Sequence, residues 1–207
     1  MTRAQFIEQL RRQIYNGQPT DDATITVGLV NQYINQAIGI AAKTNYKDNI
    51  QLEGVGFVNN SFHTTFKGLS ITQDEQFLWR FTLPEIPVGI GYSEGLPRVI
   101  FKDTDGKRSY PGIPLSENQV GYVRGMRAIP NKVLIYTEGG YCFAMTTLLM
   151  NNYTADVTLI SGGDSTDLGS TLNVPSDYIP VMIQYIQQQL MLEKKMPQDV
   201  QNDGSDN

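Results

Sequence analysis

The chain contains one histidine, His63, and one cysteine, Cys142, so its means for nucleophilic or metal chemistry are narrow. A hydrolase triad on His63 and the nearby Ser61 needs an orienting carboxylate and an oxyanion hole. No GxSxG elbow is present to present the nucleophile. His63 falls on the polar side of the alternating stretch SFHTTFKGLSI, beside Thr65 and Lys67, which predicts an exposed strand histidine. A single His and a single Cys cannot build the usual Cys/His zinc site. Cys142 sits in the apolar run YCFAM, which predicts a buried, inert thiol. The stretch DTDGK, Asp103 to Lys107, is spaced like the start of a calcium loop. In that register Phe101 stands where the first aspartate is needed and Gly112 where the closing glutamate is needed, so a hairpin turn is expected instead. GVG at 54–56 and GIG at 89–91 lack the third glycine of a dinucleotide fingerprint, and SGGD at 161–164 lacks the Lys-Ser/Thr of a phosphate loop. Asp74 and Glu75 are adjacent, so in an extended segment they point apart. The expectation is therefore no catalytic residue, no cofactor and no metal ion.

Composition points toward contacts rather than chemistry. Charged residues make up 18% of the chain, below the roughly 25% of an average soluble domain. Gln, Asn, Thr, Gly and Tyr fill the gap, the neutral groups that protein interfaces favour over lysine and glutamate. A net charge of −5 argues against a basic nucleic-acid footprint. The opening MTRAQFIEQLRRQIY has a helical pattern rather than the continuous apolar run of a leader, and no stretch approaches the roughly 20 apolar residues of a membrane helix. The only compact basic spot in the middle of the chain is RGMR, in the long segment SYPGIPLSENQVGYVRGMRAIP. Tyr122, Arg124 and Arg127 there combine tyrosine and arginine as interface hot spots do, and are expected to form an inter-subunit loop.

Hydrophobic periodicity supplies the elements. Phe6, Ile7, Leu10 and Ile14 lie at helical spacing after a Thr2 cap, and Asn16-Gly17 stops that helix. Val30, Ile34, Ala37, Ile38 and Ala41 form one stripe on a second helix, expected over 23–43 with Asp21 or Asp22 as its cap. Gly28 and Gly39 in that helix are expected to admit a closely packed neighbour. From about residue 50 the period shortens. SFHTTFKGLSI and QFLWRFTL read as strands, the latter with Phe77, Trp79 and Phe81 on one side. RVIFKDTDGKRSY and NKVLIYTEGGYCFAM read as hairpins turning at Asp105-Gly106 and Gly139-Gly140, and ADVTLISGG as a further strand. Sandwich and barrel share these signals. Ser176 or Asp177 is expected to cap a last helix, with Pro180 in its first turn and Ile179, Ile183, Ile186 and Leu190 as its stripe. Lys194 and Lys195 suit its C-terminal dipole, and Pro197 ends it. The closing PQDVQNDGSDN has too little apolar content to fold alone.

The expected fold is α+β. Terminal helices (1–48 plus 170–196) pack into a helical bundle along a seam of Val30, Ile34, Ile38, Ile179, Ile183, Ile186 and Leu190. A mainly antiparallel β region (49–169) is inserted between them, and an acidic, disordered-like tail (197–207) follows. This order resembles the head-to-tail adaptor, or ring, proteins of short-tailed bacteriophages. The closing VPSDYIPVMIQYIQQQLMLEKKMPQDVQNDG and the stretch IPNKVLIYT resemble structural proteins of crAss-like phages. The resemblance implies a non-enzymatic virion protein of the neck, a homo-oligomeric ring, commonly dodecameric, joining portal protein to other ring or tail proteins. It also implies a lumen through which DNA passes without sequence-specific binding, and a C-terminal tail that docks on the portal through Pro197, Asp199, Val200, Asp203 and Asp206. The alternative is a β-rich binding module, for carbohydrate or in the tail, with helices as decoration. Its motivation is the aromatic set Phe77, Trp79, Phe81, Tyr92 and Tyr110.

Overall fold

The structure, a computed structural model, describes residues 1–15, 25–90, 95–116, 119–121, 131–161 and 165–195. It is a mixed α+β fold. Helix α1 (Arg3–Ile14) opens with a capping box. Thr2 Oγ1 accepts from the Gln5 amide at 3.2 Å, and the Gln5 side chain accepts from the Thr2 amide at 2.9 Å, so two otherwise orphaned donors are satisfied. Helix α2 (Val27–Glu53) has 27 residues and is therefore roughly 40 Å long. Thr26 caps it by accepting from the Leu29 amide. The expected caps Asp21 and Asp22 lie outside the described residues. Helix α3 (Ile179–Lys195) follows a 3-10 turn, Ser176–Tyr178. Neither Ser176 nor Asp177 caps by its side chain; the Ser176 hydroxyl donates to the Asp177 carboxylate instead.

Helix α2 runs about ten residues beyond the expected end near 43. Its buried stripe continues past Ala41 through Asn45 and Asn49, amides that no hydrophobicity pattern registers. Gly54 then stops it with φ +73, a left-handed conformation that glycine adopts without a Cβ penalty, and its amide donates to the Ile50 carbonyl at 2.9 Å.

Among the described residues there are eight strands: β1 (His63–Ser70), β2 (Thr72–Glu75), β3 (Leu78–Thr82), β4 (Arg98–Asp103), β5 (Ser109–Pro114), β6 (Val133–Glu138), β7 (Tyr141–Met145) and β8 (Tyr153–Ile160). They follow one ladder order, β1-β8-β4-β5-β6-β7-β3-β2. All pairs are antiparallel except β5 with β6. The two edge strands, β1 and β2, are separated in sequence by Ile71 alone, so the sheet curls until its edges adjoin. Strand β5 makes the opposite corner: residues 109–111 pair with β4 and 112–114 with β6. Gly112 sits at that switch, where a Cβ would meet Ile135 at 3.0 Å. Both expected hairpins form, with positive φ at Gly106, Gly139 and Gly140. The run QFLWRFTL is not one strand. Gln73 to Trp79 pair across a turn at Gln76-Phe77, so Phe77 has φ +66 and is exposed, whereas Trp79 and Phe81 are buried. A left-handed phenylalanine costs energy that only the hairpin context explains, and alternation alone could not show it.

Two apolar cores result. One gathers Phe6 and Leu10 of α1, the α2 stripe, and Met182, Ile186 and Leu190 of α3. The other fills the curled sheet with Trp79, Phe81, Phe101, Val157, Leu159 and their neighbours. Phe62 and Ile160, at adjoining ends of β1 and β8, belong to the helical core and so fasten sheet to helices. The chain's beginning is held by main-chain bonds to the connector before α3: Arg3 N to Ser170 O at 3.0 Å, Ala4 N to Leu168 O at 2.8 Å and Leu172 N to Met1 O at 3.1 Å. A Cβ at Gly39 would meet a Val88 methyl at 3.7 Å, in a loop rather than a helix, an ordinary contact; at Gly28 the nearest such atom is Thr26 Oγ1 at 4.0 Å.

Ile34 is fully buried between the helices, whereas Leu52 is 82% exposed. Ile34→Ala is expected to lower stability by about 2–5 kcal/mol. Leu52→Ala should stay within about 0.5 kcal/mol of wild type. Denaturant unfolding checks both, and equal effects would contradict the assigned core.

Candidate functional site

The most elaborated site among the described residues is the antiparallel seam of α2 and α3, with a polar lock at each end. Its middle is dry. Val30, Ile34 and Ile38 of α2 share the apolar core with Met182, Ile186 and Leu190 of α3, while Ile179 and Ile183 are partly buried against it. The direction is set by two contacts. Asn45 faces Tyr178, and Gln36 faces Tyr185, so α3 rises as α2 descends.

The first lock closes the C-terminal half of α2 against the entry to the sheet. Asn45 Nδ2 donates to Tyr178 Oη at 3.1 Å, and Tyr178 Oη donates to Asp48 Oδ2 at 2.8 Å. Burial, aided by that bond to the Asp48 carboxylate, holds the Tyr178 phenol above the ordinary tyrosine range, although the Asn45 bond opposes it. Asn49 Nδ2 reaches the Phe57 carbonyl at 2.8 Å, and Asn45 Oδ1 accepts from the Asn59 amide at 2.9 Å. The polar groups of the turn after α2 are thus satisfied by side chains from α2 itself, which is what allows both to be buried. The Tyr178 ring also packs on Phe62, centroids 5.7 Å apart.

The second lock holds the N-terminus. Arg3 is fully buried, and its Nη1 donates to Asn31 Oδ1 at 2.9 Å and Asn35 Oδ1 at 2.6 Å. Asn31 Nδ2 in turn donates to the Ser165 carbonyl at 3.1 Å. One amide pair on α2 therefore ties together α1, α2 and the connector leading to α3.

His63 is half-buried at the sheet–helix junction rather than exposed, with its Nε2 enclosed and without a hydrogen-bond partner. Burial first, and the Arg98 guanidinium second, hold its imidazole below the ordinary histidine range. Phe62 ends a 3-10 turn in the helical core, so His63 opens β1 where the sheet meets the helices. Cys142 is buried in the sheet core, and burial pushes its thiol up to about 12, which leaves negligible thiolate at neutral pH. Asp74 pairs with Arg80 at 3.2 Å. Among the described residues, no group of three His, Cys, Asp or Glu side chains is placed to hold a metal ion, and no helix is long and apolar enough to cross a membrane. An open groove of about 690 Å³ runs along the β6–β7 turn beside Leu83, Ile86 and Leu96; Glu138 is the only carboxylate among its described lining.

The expected docking residues Pro197, Asp199, Val200, Asp203 and Asp206 lie outside the described residues, as do Tyr122, Arg124 and Arg127. The seam residues are brought together as described above. The polar locks were not anticipated, though a signal existed: Asn45 and Asn49 continue the i, i+4 series of Ala37 and Ala41. Arg3 carries no such signal, because a terminal arginine normally reads as solvated. Comparison with protein-family models and with curated proteins returned no match.

Two outcomes follow. Asn49→Ala removes the donor to a buried carbonyl and is expected to cost about 1–3 kcal/mol, measured by denaturant unfolding. An unchanged midpoint would show the first lock to be incidental. Because the folded chain favours neutral His63, the unfolded chain binds its proton first. The stability that His63 contributes is present above about pH 6.5 and is lost as pH falls toward the depressed folded value. Comparing wild type with His63→Gln across that range isolates this part from carboxylate titration. Parallel pH profiles would contradict it.

Proposed function

We propose that this chain is a non-enzymatic structural subunit of a bacteriophage neck, a ring or adaptor protein that joins the portal to the tail. In this reading the helices form a bundle that builds the ring wall, and the curled sheet projects from it. DNA passes through the lumen without being held. Residues 197–207 form an acidic arm that orders on the portal, where avidity across the ring compensates for weak single contacts.

The observation that carries the reading is the division into two cores, with the first and the last described helices, α1 and α3, both built into the helical one. A chain whose first and last helices are locked into one unit can present that unit to neighbours and use the remainder as an appendage. The low charge and the Gln/Asn/Tyr surface support the same reading. The carbohydrate-binding alternative loses much of its motivation. Trp79 and Phe81 are buried in the sheet core, and the Tyr110 ring lies against Tyr153. Burial removes the ring faces of Trp79 and Phe81 that would stack on a sugar, while Phe77 stays exposed and Tyr92 lies outside the described residues.

The test is to mix the full chain with the portal protein of the same particle and measure the mass of the product. A stoichiometric, closed-ring complex is expected. Deleting residues 197–207 should leave the unfolding midpoint unchanged and abolish docking. Absence of any portal complex with the full chain would overturn the reading, and a glycan-dependent shift of a lone chain would favour the alternative.

A further inference from the structure

The exposed side of the α2–α3 pair has an unusual property: it carries no charge over its N-terminal α2 half. Between Asp177 and Glu193 no residue is charged, and none is between Asp22 and Lys43. On α3 the exposed positions Pro180, Gln184, Gln188 and Met191 follow one another at helical spacing, and Met191 is 62% exposed. On α2 the adjacent exposed positions are Gln32 and Gln36. The Tyr185 hydroxyl donates to Gln36 Oε1 at 3.1 Å, bridging the two helices at the surface. Elsewhere the described surface is ordinarily charged. The outer side of α1 carries the Glu8–Arg12 pair at 3.0 Å, and edge strand β2 carries Asp74 and Glu75.

We infer that this amide face is the contact between copies of the chain, an inference that rests on the connector reading and names the surface it uses. The occupant follows from charge and hydrogen bonding. A chain of net charge −5 repels its own copies wherever acidic surfaces meet. Between Lys43 on α2 and Glu193 on α3, this face brings no like charges together and strips no ion of its water. Each glutamine amide both donates and accepts, so a surface of amides complements itself when its groups pair on burial. Two helices side by side over the roughly 20 Å of α3 that is free of charge give about 400 Å² of flat area per copy, hence on the order of 800 Å² across a contact, the size of a weak interface that a closed ring multiplies.

Sedimentation of the full chain over a concentration series tests this. Three double variants are compared with wild type: Gln184→Glu with Gln188→Glu, Gln184→Lys with Gln188→Lys, and Gln9→Glu with Gln13→Glu on the outer side of α1. The two glutamate variants add the same charge at different places, and the lysine variant lowers the overall negative charge. Helical dichroism and the unfolding midpoint establish that each is folded. Both α3 variants are expected to weaken self-association at least about tenfold, with the α1 variant close to wild type. The inference is overturned if the α3 variants associate like wild type, if the α1 and α3 glutamate variants weaken equally, or if wild type is monomeric throughout. It is also overturned if the α3 variants self-associate normally but fail to bind the portal ring, which would assign the face to that partner. The connector reading itself stands or falls on the portal mixture, so the two failures are distinguishable.

Discussion

The architecture depends on one continuous stripe along α2. Its first half is apolar, from Val30 to Ala41, and its second half is made of amides, Asn45 and Asn49. The apolar half does what hydrophobic burial does: it removes large side chains of three helices from water in one place. The amide half does something that burial alone cannot. It supplies specific partners for a turn and a tyrosine that would otherwise carry unsatisfied polar groups into the interior. Together they set where α3 lies, in which direction it runs, and where the chain enters the sheet. Arg3 extends the same logic to the beginning of the chain, since its guanidinium is held by two amides on the neighbouring side of α2.

The sheet obeys a different constraint. Eight strands in an open order would leave two long edges, a risk for unwanted pairing. Here the edges are consecutive in sequence, joined through Ile71, whose side chain packs toward the sheet core. The edge strands themselves are unattractive templates. β2 is short and polar, and β1 has a register shift between Phe66 and Leu69, with Gly68 at φ +72. The Gly68 amide donates to Asp156 Oδ1, and Lys102 pairs with the same carboxylate, so the irregularity is braced from the adjacent strands.

Much of this was legible in the sequence, for identifiable reasons. The helices and both glycine hairpins are written in periodicity and turn chemistry, which are local. The α+β class and the terminal position of the helices followed from those alone. What was not legible is where tertiary partners override pattern. Phe77 belongs to an apolar alternation yet occupies a left-handed turn position, because the pairing of β2 with β3 decides the register. His63 reads as solvent-facing yet is half-enclosed, because it opens β1 beside the helical core, a tertiary neighbourhood that alternation does not carry. The extension of α2 to Glu53 depends on amides whose partners are distant in sequence: Tyr178 lies beyond the whole sheet. The seam of the candidate site was accessible from its apolar stripes, whereas its two polar locks required knowing what faces them.

The central physical claim is that α1, α2 and α3 behave as one cooperative unit, with the sheet as a second. Native-state hydrogen exchange measures this most directly, because amides in one cooperative unit open with one free energy. The account predicts that amides in the buried turns of α1, α2 and α3 share a common opening free energy, and that Ile34→Ala lowers all three together. If α1 or α3 instead opens independently of α2, and keeps its protection when the core at Ile34 is emptied, the helices are separate appendages and the account is wrong.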